Sequence, residues 1–131
     1  MDNTQWHEAM PLGRTLEMTL VSASADEVVV TMPWQAGLTT TGGALHGGAL
    51  MALADGAGGT CAFLNLPAGA GTSTISSSTQ FLRGVRSGVV TATCRPLHVG
   101  RTTIAVETEL RDDEGRLVAK VNQTQAVLPP R

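Results

Sequence analysis

The sequence predicts an α+β protein in which an antiparallel sheet wraps around one long central helix. Three observations predict it. Only residues 46–64 combine helical apolar spacing with the length of a long helix. Six other segments show the alternation or β-branched enrichment of strands. Turn residues place two of these strands before the helix and four after it. One helix is then the only cover for the sheet, and the simplest packing curls the sheet around it. A sheet with so little cover also tends to find more through a partner subunit.

The elements follow in order. Residues 6–12 are a short helix or an irregular lead-in. Leu16, Met18 and Leu20 alternate with Glu17, Thr19 and Val21, so 15–23 reads as a strand. Ala25-Asp26-Glu27 turns the chain, and Val28 to Met32 form a second strand that Pro33 stops. A Thr- and Gly-rich loop leads to the helix. Ala49, Leu50, Leu53, Ala54, Ala57 and Cys61 are its apolar positions, and Asp55 is its only charge. A helix apolar nearly all round is expected to be buried. Asn65 and the stretch 67–71 end it. Strands follow over 72–82, 89–98, 103–111 and 116–127, with turns at Gly84 and Gly88, at Gly100 and at 112–115. In 103–111, Ile104, Val106 and Leu110 share one face, and Glu107, Glu109 and Arg111 the other.

The 131 residues suit a single domain spanning 1–131, with 42% hydrophobic and 15% charged residues. The net charge is −2 without a basic block, which argues against nucleic acid as a partner. Cys61 and Cys94 are too few for a disulfide framework and form no CxxC pair, so neither disulfides nor a metal site is expected. Buried free thiols suit a reducing, cytoplasmic setting. The N-terminus is polar, so no signal peptide is expected, and no apolar run reaches the roughly 18 residues of a membrane span.

The chemistry concentrates in the segment from Gly42 to Gly56. The first turn of a helix offers unpaired N–H groups and the positive end of the dipole. Gly47 and Gly48 are placed to expose those groups to an anion, or to the oxyanion forming on an acyl carbonyl. Asp55 stands among Ala, Leu and Gly, with no Lys, Arg or His three or four residues away. A buried carboxylate is costly unless paired, so a functional role explains it better than packing; the bland alternative is a hydrogen bond across a helix seam. His46 and Asp55 are nine positions apart, about 13 Å along a helix and on opposite faces. One helix start cannot serve its own Asp55 over that distance. A two-fold dimer with antiparallel helices could bring Asp55 of one copy to Gly47 of the other.

The run His46-Gly47-Gly48, with an acidic residue nine positions after the His on a buried helix, resembles the hotdog-fold thioesterases. The phenylacetic-acid-degradation group is the nearest in pattern; it is related to 4-hydroxybenzoyl-CoA thioesterases and to the human thioesterase-superfamily members. The likeness covers almost the whole chain, through Leu12-Gly13, Phe81-Leu82-Arg83, His98-Val99-Gly100-Arg101 and Asp113-Glu114-Gly115-Arg116-Leu117. It implies hydrolysis of an aryl- or medium-chain acyl-CoA without a cofactor. Asp55 matches the nucleophile or general base, Gly47 the residue whose N–H polarises the carbonyl, and His46 the residue that orients the helix start. Thr40 stands where many relatives carry Asn or Gln, six positions before the His. Thr74, or Ser73 on a different count, matches a hydroxyl on the strand after the helix. Gly48, Arg83, His98, Gly100, Arg101 and Thr102 fall on the substrate side, with Arg101 suited to a CoA phosphate. The resemblance also implies a homodimer with shared sites, commonly paired into a homotetramer.

Each of these has a plainer reading. His46 could be only a cap, His98 a strand residue at a turn, and Arg83 and Arg101 ordinary exposed charges. Trp34, Met51, Phe63 and Leu64 are candidates for lining an acyl pocket, although core packing is the commoner use of such residues. Two other functions compete: a hotdog hydratase or dehydratase, which needs a His–carboxylate pair for proton removal, and a non-enzymatic acyl-CoA-binding module.

Overall fold

The computed structural model describes residues 1–131. Two short helices lead in, α1 (Asn3–Ala9) and α2 (Pro11–Thr15). Asp2 caps α1 through Gln5 N–H, and the Gln5 side chain returns the bond to Asp2 N–H. Of the two readings of 6–12, the short helix is the one found, and the capping box Asp2-x-x-Gln5 explains why it starts earlier, at Asn3. Pro11 opens α2, and Glu17 takes a left-handed φ of 55°. Together they bar an extended chain from residue 15, so the first strand, β1 (Thr19–Ala23), begins four residues later than its alternation suggests.

Then come β2 (Val28–Pro33), two 3-10 turns at Ala36–Leu38 and Thr41–Gly43, α3 (Gly47–Phe63), β3 (Gly71–Phe81), β4 (Val89–Val99), β5 (Thr103–Arg111) and β6 (Leu117–Leu128). The six strands form one sheet in the order β1-β2-β4-β5-β6-β3, antiparallel throughout. The sheet curls so that β2 to β6 all touch α3. Alternate residues of β2, β4 and β5 point inward: Val28, Val30 and Met32; Val90, Ala92 and Cys94; Ile104, Val106 and Leu110 are all buried. Burying each such Val, Leu or Ile contributes about 1.5–3 kcal/mol. The end of α3 is tied to the β1–β2 turn by Asn65, whose Nδ2 donates to Cys61 O and Ala25 O, both at 2.8 Å.

The helix is not buried all round. Leu50, Leu53, Ala54, Ala57 and Cys61 face the sheet, whereas Met51, Asp55 and Phe63 are exposed in the single chain. Asp55 is therefore solvent-facing rather than buried as its apolar neighbours suggest. The reason is geometric: a sheet can wrap only one side of a rod, and positions 51, 55, 59 and 63 form the stripe left uncovered. β3 is uncovered too. It lies at the sheet edge, bonded only to β6, and nearly all of its eleven residues are exposed.

Candidate active site at the α3 stripe

His46 is the N-cap of α3, and its Nδ1 accepts the Gly48 N–H at 2.8 Å. The N–H groups of Ala49 and Leu50 donate to His46 O, at 2.9 and 3.2 Å. Of the first four helical N–H groups, only that of Gly47 has no acceptor. The structure thus separates the two glycines. Gly48, grouped with substrate binding on sequence grounds, has its N–H taken by His46, and the free donor at the positive end of the dipole belongs to Gly47. A Cβ on Gly47 would come within 3.0 Å of the Phe81 ring, so a side chain here would crowd the space beside the free N–H. His46 is both a cap and the residue that leaves the Gly47 N–H as the one unsatisfied group.

Eight residues along the same helix, Asp55 Oδ1 accepts Gln123 Nε2–H at 2.8 Å. The Thr74 hydroxyl lies 3.3 Å from the same oxygen and 3.0 Å from Gln125 Oε1. Thr74, not Ser73, is the strand hydroxyl that approaches Asp55. The cause is local: β3 carries a bulge between Thr74 and Ser76, and such an irregularity re-aims the neighbouring side chain. Asp55 Oδ2 takes no hydrogen bond from the chain. One carboxylate oxygen is anchored and the other faces outward.

Asp55 lies on the rim of a cleft of about 450 Å³ between α1 and α3. Trp6, Met10, Gly59, Phe63 and Thr72 are among its walls. Trp6 is 2% exposed, and its Nε1 donates to Thr60 Oγ1 at 2.8 Å, which in turn donates to Gly56 O at 2.7 Å. This chain of bonds pins α1 onto α3 and fixes the wall. Of the four lining candidates, only Phe63 is there. Trp34 instead donates to Gly43 O at 2.9 Å and braces the loop before the helix. Leu64 packs against the core, and Met51 lies one turn beyond the cleft on the exposed stripe.

The other expected residues stand apart from Asp55 within one chain. Thr40 sits in the loop ahead of α3, its N–H on Ala44 O at 2.8 Å and its hydroxyl unbonded. Arg83 follows β3, its N–H directed to Val118 O at 3.1 Å. His98, Gly100, Arg101 and Thr102 cluster at the β4–β5 turn, closed by Gly100 N–H on Thr103 O at 2.8 Å. A Cβ on Gly100 would lie 2.8 Å from His98 Nε2, so the imidazole rests over this glycine. The guanidinium groups of Arg83 and Arg101 make no ion pair or hydrogen bond, and both residues are exposed. Cys61 and Cys94 are free and buried side by side. Hydrogen bonding to Cys94 and burial push the Cys61 thiol pKa up, away from reactivity.

Sequence reasoning passed over Gln123, Gln125, Trp6 and Met10. The signal for the first two was present: they occupy inward positions of β6, two and four residues after the buried Val121. Polar side chains on the core-facing register of a strand ask for a partner.

A model of the thioesterase superfamily matches residues 42–119, which hold both Gly47 and Asp55. The chain is 37% identical over 106 residues to a protein of Deinococcus radiodurans that carries an esterase name, matching 80% of this chain. It spans 66% of that protein's length, and 57% of the length of a similar Vibrio cholerae protein. It is 30% identical over 103 residues to the 1,4-dihydroxy-2-naphthoyl-CoA hydrolase of Escherichia coli, which is 79% of this chain and 76% of that enzyme. The crystal structure of a point mutant of a Pseudomonas aeruginosa thioesterase superposes with a TM-score of 0.91 at 29% identity, covering 98% of this chain and 95% of that one.

Proposed function

The chain belongs to the thioesterase superfamily and has its hotdog fold, and from that premise we propose that it hydrolyses an acyl-CoA thioester to the free acid and CoA. The observation that carries this is Asp55, a carboxylate on the rim of an apolar cleft with Oδ1 anchored and Oδ2 free. Asp55 delivers the nucleophile, either by attacking the thioester carbonyl itself or by taking a proton from water. The Gly47 N–H donates to the carbonyl oxygen and holds the oxyanion that forms. Collapse of the tetrahedral species expels CoA as its thiolate. If water attacked, the proton taken by Asp55 passes to the thiolate and the free acid leaves; if Asp55 attacked, water cleaves the remaining acyl–Asp55 anhydride, which frees the acid, restores the carboxylate and supplies the thiolate's proton. His46 keeps the helix start in place, and Thr74 supports Asp55.

The apolar cleft suits an aryl or medium-chain acyl group, with Trp6, Met10 and Phe63 as its contacts. A CoA hydrolase among the relatives supports CoA as the carrier. Arg101 and Arg83, free of protein partners, are the cations for its phosphates, with His98, Gly100 and Thr102 beside Arg101 at the same turn and Gly48 and Thr40 near the thioester.

We place this site at the interface of a homodimer, itself paired into a homotetramer. Gly47 and Asp55 lie about 12 Å apart along one helix, so one copy supplies the carboxylate and its partner the N–H. The open β3 edge, with Ile75, Phe81 and Leu82 more than half exposed, is the surface for that partner. Residues 1–131 act as one domain, because a single core joins the sheet to α3. No helix is long and apolar enough to cross a membrane; the two buried free thiols support a cytoplasmic setting.

The hydratase reading is less well supported. His46 Nδ1 is occupied by its cap and His7 Nε2 is bonded to Met18 O, so neither forms a pair with Asp55 in the chain. Free-thiol release from a panel of aryl and medium-chain acyl-CoAs tests the proposal. Stoichiometric thiol and acid are expected. Binding without thiol release would make the chain a carrier module, and water addition to an enoyl-CoA would make it a hydratase.

A further inference from the structure

Two residues that lower stability meet beside Asp55. Gln123 is 3% exposed on β6, where Ala119 and Val121 on its N-terminal side are packed into the core. Its Oε1 is buried without a hydrogen-bond partner, so an apolar side chain of the same shape would suit the fold better. Gly58 lies in the middle of α3, where glycine weakens a helix relative to alanine. A Cβ on Gly58 would sit 1.8 Å from Gln123 Oε1 and 3.0 Å from Cδ. The missing side chain is the gap through which Gln123 passes. What emerges on the far side is one N–H, 2.8 Å from Asp55 Oδ1. Thr74 is a poorer anchor, since its hydroxyl has one proton for two acceptors and its oxygen is nearer Gln125 Oε1, at 3.0 Å, than Asp55 Oδ1, at 3.3 Å.

We infer that Gln123 is the positioning residue for the Asp55 carboxylate, and that Gly58 exists to let it through. Holding Oδ1 turns Oδ2 toward the cleft and limits rotation of an otherwise exposed side chain. Gln123 does not touch the reacting atoms; it acts through Asp55, and the inference rests on the thioesterase role proposed for that residue.

The test uses the full chain and an acyl-CoA that the wild type hydrolyses. Gln123→Met keeps length and bulk and removes the N–H. It is expected to lower kcat by about tenfold or more, since a misplaced reacting group is costly, with KM within about twofold because ground-state binding is untouched. The thermal midpoint should stay or rise, because the unpartnered amide oxygen is gone. Gly58→Ala should bring the same loss of kcat by displacing Gln123. In the double variant the loss should be no larger than in either single one, the signature of two residues acting through one contact. Gln123→Asn, one methylene too short to reach Asp55, guards against misfolding of the Met variant and should lose kcat in the same way. Asp55→Asn runs alongside. If Asp55→Asn is inactive while the Gln123 variants keep wild-type kcat, or if the Gly58 and Gln123 losses multiply, the positioning role is overturned and the function stands. If Asp55→Asn retains full turnover, the functional reading itself falls.

Discussion

Asp55→Asn is expected to lower thioester hydrolysis by about two orders of magnitude or more, the scale of a positioned base or nucleophile, while the chain folds as before. The geometry explains why these two outcomes separate. The new amide oxygen can still accept the Gln123 Nε2–H that Oδ1 accepts now. Its NH2 then takes the outward place of Oδ2, where there is no protein partner to lose. Asp55 is exposed in the chain, so removing its charge should move the thermal midpoint little. Acyl-CoA binding should persist, because the cleft walls and the free arginines are unchanged. Asp55→Glu should retain part of the activity, limited by the extra methylene on a carboxylate already anchored at 2.8 Å. Thiol release and thermal melting of both variants check this. Near-normal hydrolysis by Asp55→Asn would move the chemistry elsewhere, and unfolding of Asp55→Asn alone would make Asp55 a structural residue.

Gly47→Pro is expected to cost a similar amount, about 10² to 10³ in kcat, the usual loss for one oxyanion donor. The first helical position is where proline does least harm, since the N–H it removes has no intrahelical partner. His46 already has φ −62° and ψ 136°, within the extended region that a residue before proline requires. The substitution therefore deletes a donor while the cap from His46 to Gly48 can persist. Crowding of Phe81 is the confounding effect, because any Cβ at this position meets that ring at 3.0 Å. Gly47→Ala supplies the control: it adds the same Cβ and keeps the N–H. A large loss for Pro and a small one for Ala assigns the effect to the donor. Equal losses would assign it to the ring.

The succession of two strands, one long helix and four strands was legible because burial writes a period into the sequence, whereas the order in which the strands pair was not read from it. β5 shows it most clearly, with Ile104, Val106, Thr108 and Leu110 all inward. Both ends of the candidate site stand out in the sequence for a related reason: a lone charge in an apolar helix and a His-Gly-Gly helix start each depart from what stability alone would select. What the sequence hid was relational. Gln123 reaches Asp55 across 68 positions and becomes meaningful only beside the gap at Gly58. Trp6 became a cleft wall through its bond to Thr60, 54 positions away. The exposure of Asp55 was misjudged because composition reports how apolar a helix is, not which side the sheet covers. The start of β1 slipped because a left-handed Glu17 leaves no mark on hydropathy.

The placement of Gly47 and Asp55 on one rigid rod also makes the proposed assembly open to genetic complementation. In the dimer proposed above, each site would draw its carboxylate from one copy and its N–H donor from the other. A copy carrying Asp55→Asn still offers an intact Gly47, and a copy carrying Gly47→Pro still offers an intact Asp55. Two dead proteins, unfolded together and refolded, should then regain activity. Random pairing makes half of the dimers mixed, and each mixed dimer rebuilds one site of two, so about a quarter of wild-type turnover is expected. A refolded mixture as inactive as its components would mean that each chain completes its own site.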